Sequence, residues 1–141
     1  MTESALYKIF PHTSDLGVEV TGYSLIELFR KAGMAILDLV TEPETVATHD
    51  TIEIVVQADD RELLFREWLS ELLYHIFVKE YLFKTLRIAK LDSHSLKAVA
   101  CGEKIDYRRH KIKRELKSIT YHQLQVSEVD GKWTGRFVID V

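Results

Sequence analysis

The sequence predicts a single α+β domain, and three observations carry that prediction. Two apolar patterns at helical spacing fall in the first half of the chain, alternating apolar residues dominate from Thr85 onward, and 141 residues with 46% hydrophobic content suffice for one real core. Helices grouped early and strands grouped late point to a mixed, mostly antiparallel sheet with two main helices packed on it, spanning 1–141 as one unit. A parallel, doubly wound arrangement would need the two to alternate.

Ala5 to Phe10 and Leu16 to Thr21 read as two short strands. Between them lies a turn over Pro11 to Asp15, whose Thr, Ser and Asp side chains favour local bonds to backbone. Ser24-Leu25-Ile26-Glu27 has capping-box spacing, and Leu25, Leu28, Phe29, Ala32, Ile36 and Leu39 continue at helical spacing toward Pro43. Thr51 to Gln57, rich in β-branched residues, predicts a strand, after which Asp59 or Asp60 can cap a second helix. The apolar face of that helix (Leu63, Leu64, Trp68, Leu72, Leu73, Ile76 and Phe77) is too broad for a surface helix, so it should pack deep against the sheet.

Alternation then marks Leu86 and Ile88; Leu96, Ala98 and Ala100; Ile119, Tyr121, Leu124 and Val126; and Trp133, Phe137 and Ile139. Asp130-Gly131 between Gln123 to Val129 and Lys132 to Ile139 signals a tight hairpin, because both turn positions accept positive φ.

Composition narrows the function classes. One cysteine, Cys101, excludes an intrachain disulfide and any multi-cysteine zinc site, reads as a buried strand residue and suits a reducing cytosol. The start of the chain shows no targeting pattern, and no run approaches the roughly 20 apolar residues needed to cross a bilayer. A soluble, cytoplasmic protein without membrane attachment is expected. Net charge is −3, but the run from Lys104 to Lys117 sets seven cations against Asp106 and Glu115, a local +5 that leaves −8 on the remainder. That run reads equally as a charged, mobile hairpin loop or as a docking surface for RNA or an acidic protein face. Only Tyr107 and Tyr121 lie in or near it, which does not support a base-stacking platform.

The candidate chemistry sits at the two ends. Asp140 and the carboxylate of Val141 place anionic groups on adjacent residues, and Asp15 beside them would complete a set of oxygen donors suited to a hard divalent cation rather than to zinc. Nothing local measures the distance from Asp15 to Asp140, and Asp15 could equally close an Asx-turn. Phe137, Val138, Ile139 and Val141 argue that the last strand is tied into the sheet, not frayed. His12, three residues before Asp15, could support the ligands or carry a proton, or could simply bond backbone in the turn. The other five histidines show no zinc-ligand spacing. Asp59 and Asp60 read first as caps, with Asp59 near the metal a minor option. Lys117 reads as a solvated strand residue or a guard against edge pairing.

Five segments in order resemble the archease family over nearly the whole chain. They are His12-Thr13-Ser14-Asp15-Leu16-Gly17-Val18, the helix start Ser24-Leu25-Ile26-Glu27-Leu28-Phe29, Ala58-Asp59-Asp60-Arg61-Glu62-Leu63-Leu64 leading to Trp68-Leu69-Ser70-Glu71-Leu72-Leu73-Tyr74, Leu116-Lys117-Ser118-Ile119-Thr120-Tyr121-His122, and Asp140-Val141. Ser14 stands where alanine is common and Val141 where isoleucine is common. The resemblance implies a metal site at Asp15, Asp140 and Val141, with Ca²⁺ the first choice and Mg²⁺ or Mn²⁺ the alternatives. It also implies a role in activity for Lys117, with His12 a further candidate for activity or partner contact.

By the same resemblance the protein is expected to be a non-catalytic accessory to an RtcB-type RNA ligase in tRNA splicing or RNA repair. It would promote ligase guanylylation and multiple turnover, relax nucleotide preference, and meet tRNA or other RNA through the ligase. Two further readings from the residues are a metal-dependent phosphoester hydrolase, for which no general base or substrate pocket is evident, and an RNA-binding or chaperone module using residues 104–117.

Overall fold

The computed structural model describes residues 7–12 and 15–141, leaving out the side chains of Pro11 and His12. Its elements run β1 (Lys8–His12), β2 (Asp15–Gly22), α1 (Leu25–Val40), a 3₁₀ turn (Pro43–Thr45), β3 (Asp50–Gln57), α2 (Arg61–Phe77), β4 (Tyr81–Leu91), β5 (Ser95–Lys104), β6 (Ser118–Ile119), β7 (Gln125–Val129) and β8 (Lys132–Asp140). The α+β reading with two main helices holds. The strands, however, divide into two sheets, one ordered β1-β2-β8-β6 with β7 also on β8, the other β3-β5-β4, and every pairing is antiparallel. Ala5 and Leu6 of the expected first strand, and the Thr13-Ser14 part of the expected turn, lie outside the described residues.

Both helices start where side-chain caps dictate. Ser24 accepts from the Glu27 N–H at 3.1 Å, while the Glu27 carboxylate reaches back to the Tyr23 N–H at 3.4 Å, one residue earlier than a standard capping box. Asp60, not Asp59, caps α2 by accepting from the Leu63 N–H at 2.9 Å.

Each helix contacts strands of both sheets, so apolar side chains on several sides of α2 are buried: Leu64, Phe65, Trp68, Leu69, Leu72, Leu73 and Ile76. Phe65 stands edge-on to Phe29 of α1 and to Phe137 of β8, with ring centroids 5.0 and 5.7 Å away. Burying one such side chain contributes about 1.5–3 kcal/mol. The Trp68 indole N–H donates to the Phe29 carbonyl at 2.8 Å, so the largest core residue leaves no orphan donor.

The predicted hairpin is present between β7 and β8, with Asp130 at φ 51° and Gly131 at φ 80°. Two expectations shift. β4 begins at Tyr81, because a register shift between Phe83 and Thr85 buries Leu82 and Phe83 consecutively and breaks the alternation. The alternating run from Ile119 to Val126 is not one strand, since Gln123 turns the chain at φ 50°. Cys101 lies on β5 and is only partly buried, its sulfur 3.8 Å from the Thr51 hydroxyl.

Candidate functional site

The topology joins the two ends of the chain. β2 and β8 pair with Asp15 directly opposite Asp140, and β1 pairs with β2 so that His12 is opposite Asp15. Directly opposed residues carry their side chains on the same face of a sheet, Cβ atoms about 4.5–5.5 Å apart. On its other side Asp140 meets the segment before β6. Ser118 is its register partner, and its carbonyl accepts the Lys117 N–H at 2.8 Å.

Strong anchors fix this junction. Phe137, Val138 and Ile139 are fully buried just before Asp140, and Leu116 and Ile119 are each 1% exposed around the exposed Lys117. Asp15, Asp140, Val141 and Lys117 thus converge at one end of the larger sheet. A cavity of about 330 Å³ opens there, lined by Asp15, Leu16, Arg114, Glu115 and Val141. Arg114 and Glu115 were not singled out as site residues, because their spacing from Asp15 carries no signal. The side chain of His12 lies outside the described residues.

Among the described residues no three His, Cys, Asp or Glu side chains are grouped so as to hold a metal. The candidate side-chain donors here are the Asp15 and Asp140 carboxylates on one sheet face, oxygen donors of the kind that Ca²⁺ or Mg²⁺ takes. Asp59 lies elsewhere, on a larger cavity of about 710 Å³ with Asp92 and His94. The Asp92 carboxylate is engaged there by the His94 and Ser95 N–H groups and the Ser95 hydroxyl, at 2.8–2.9 Å, in the turn joining β4 to β5.

The basic run is not a hairpin loop. It crosses from β5 of the smaller sheet to β6 of the larger one and is fastened to the end of α1. The Lys113 N–H donates to the Val40 carbonyl at 2.7 Å, the Thr41 hydroxyl to the Lys111 carbonyl at 2.7 Å, and the Arg114 guanidinium to the Leu39 carbonyl at 3.5 Å. The last turn of α1 has no basic residue of its own, so this segment supplies cations to the negative end of the helix dipole.

Glu103 forms the inner clasp of this crossover. Its carboxylate accepts from the Arg109 guanidinium at 2.6 Å, from the Ala47 N–H at 2.7 Å and from His110 at 3.0 Å. The Asp106 N–H donates to Nδ1 of the buried His110, which assigns the Nε2–H tautomer and makes His110 the donor to Glu103. The Arg109 guanidinium first, then the Ala47 N–H and His110, hold the Glu103 carboxyl down at about 2, and Glu103 in turn raises Arg109. Arg108 pairs with Asp106 and Lys113 with Glu42, so much of the local charge is met within the protein.

A compact α+β domain whose second and last strands bring two aspartates into register is the class of protein these features define. The model of the Archease protein family (MTH1598/TM1083) matches residues 7–141, and the chain belongs to that family. It is 35% identical over 136 residues to the protein archease of Thermococcus gammatolerans, covering 94% of this chain and 96% of the relative. With the protein archease of Methanosarcina mazei it shares 31% over 139 residues, covering 96% and 95%. The solution structure of Methanobacterium thermoautotrophicum protein 1598 superposes with a TM-score of 0.78 at 28% identity, over 96% of this chain and 98% of that one. An archease and possible chaperone from Thermotoga maritima shares the fold, with a TM-score of 0.66 at 22% identity over 95% and 96% of the two chains. Among the described residues no helix is long and apolar enough to cross a membrane.

Proposed function

We propose that this archease is a cytoplasmic, non-catalytic accessory protein that activates an RtcB-type RNA ligase in tRNA splicing or RNA repair. In this reading it promotes guanylylation of the ligase and multiple turnover, relaxes nucleotide preference, and meets RNA through the ligase. The observation that carries the reading is the Asp15–Asp140 register pair, with Lys117 tied to the same residue, in a chain of this family. Asp15, Asp140 and the Val141 carboxylate would hold a divalent cation, Ca²⁺ first, with Mg²⁺ or Mn²⁺ able to take its place.

A cation held by these residues would supply positive charge at the end of the sheet where the Lys117 backbone joins Asp140. Nucleotidyl transfer depends on placing metal and triphosphate charge, so the protein's contribution would be positional. Its own residues would orient the two carboxylates through the sheet register, and the Lys117 N–H bond to the Asp140 carbonyl fixes the backbone at that lysine. The test is ligase turnover with wild type, Asp15→Ala and Asp140→Ala: both variants should lose stimulation, and full stimulation by both would remove the reading. Release of phosphate from phosphoesters by the isolated protein would instead favour a hydrolase.

A further inference from the structure

A groove of about 320 Å³ runs along α2 and shares Lys117 and Ser118 with the junction described above. Arg66, Ser70, Tyr74 and Phe77 recur at three- and four-residue spacing and form its helical wall, with Leu116 opposite. Leu73 and Leu116 are nearly buried in it, whereas Tyr74 is 42% and Val78 64% exposed at its rim. Both charged residues that line it, Arg66 and Lys117, are cationic, and the Lys79 ammonium stands 5.8 Å from the Tyr74 ring centroid.

Arg66 is held in place. Its Nε donates to the Ile119 carbonyl at 2.9 Å, its guanidinium lies 4.1 Å from the Tyr121 ring centroid, and one terminal nitrogen is 3.4 Å from the Glu67 carboxylate. A preorganised arginine, exposed tyrosines and an apolar slot are what protein interfaces concentrate at their centres. RNA would need a track of cations along its phosphates, which a mostly apolar groove does not offer.

We propose that this groove docks an acidic, leucine-bearing segment of a partner protein. An aliphatic side chain would seat against Leu73, Phe77 and Leu116 while flanking carboxylates meet Arg66 and Lys117. Identifying the partner as the ligase rests on the function proposed above. The shared Lys117 and Ser118 would then bring the ligase directly beside the Asp15–Asp140 pair.

The test has two arms, with thermal melting as a folding control for each variant. In the first, the ¹⁵N-labelled protein is titrated with the synthetic peptide Glu-Glu-Leu-Leu-Glu-Glu-Leu and with its counterpart carrying Lys for Glu. Shifts should gather at residues 66–78 and 116–119 for the acidic peptide only, and Val78→Glu should weaken binding about tenfold while Val78→Lys retains most of it. In the second, affinity for a purified RtcB-type ligase should fall about tenfold in Val78→Glu, with Ca²⁺ binding by the isolated variant equal to wild type.

Ligase binding that Val78→Glu leaves intact, with peptide shifts absent from the groove, overturns the docking site and leaves the proposed function standing. Peptide binding in the groove without any ligase binding supports the site and removes the ligase as its partner. Failure of both peptide and ligase to bind overturns the site and the function together.

Discussion

Asp15 and Asp140 face each other directly across the β2–β8 ladder, and the Asp140 carbonyl is bonded to the Lys117 N–H at 2.8 Å. Like charges at directly opposed positions on one sheet face are destabilising unless something neutralises them. That relationship sets an experiment in which the sign of the effect depends on the cation.

In chelator, Asp140→Asn should melt at or slightly above wild type, because it removes a repulsion. With Ca²⁺ at a hundred times its dissociation constant, wild type should gain about 2.7 kcal/mol and the variant little or nothing, so the order reverses. Melting curves with EDTA and with Ca²⁺ check both halves; an order that stays the same under the two conditions contradicts the metal site.

Glu103 makes stability depend on acid. Its folded carboxyl titrates at about 2 against an ordinary 4.5, so its contribution is fully present above about 4.5 and is lost as pH falls toward 2. Glu103→Gln should therefore melt well below wild type at neutral pH, and the gap should narrow as the pH drops from 4.5 toward 2. Paired melts across that range measure it, and a gap independent of pH would exclude the linkage.

Local chemistry was the part of this fold that the sequence made legible. Ser24, Asp60 and the Asp130-Gly131 turn act on residues within four positions, so their spacing sufficed to read them. Period-two patterning says that a face is buried but not which sheet a strand joins, so the division into two sheets stayed hidden. The crossover was harder still, since Lys113 and Arg114 find their partners on α1 and Glu103 finds one at Ala47. At the candidate site the residue types at both ends were readable. Their meeting required the family resemblance, because register between strands so far apart in sequence has no local signature.

Helix capping gives a prediction of stability alone. Asp60→Ala should cost about 1 kcal/mol by orphaning the Leu63 N–H, while Asp59→Ala should cost less than half of that, as Asp59 is not the cap. Urea denaturation of the two variants separates them, and equal losses would contradict the assignment.

Gly102 permits the close approach of β5 to β4 at the register shift. A Cβ there would meet the Leu82 carbonyl oxygen and lie 2.7 Å from Phe83 Cα, both backbone atoms that cannot rotate away. Gly102→Ala should lose at least about 1–3 kcal/mol, the usual range for overpacking. Denaturation midpoints provide the measure, and a neutral result would mean that the strands can separate there without cost.

The proposed target of the Asp15–Asp140–Val141 junction is an RNA ligase. The most direct measurement is multiple-turnover RNA joining by a cognate RtcB-type ligase alone, with this protein, and with a form carrying one extra residue after Val141. Strong stimulation by the protein is expected, and its loss on extension, with the extended form still folded by its melting curve. Ligase turnover that the protein leaves unchanged, or stimulation that survives the extension undiminished, would contradict it.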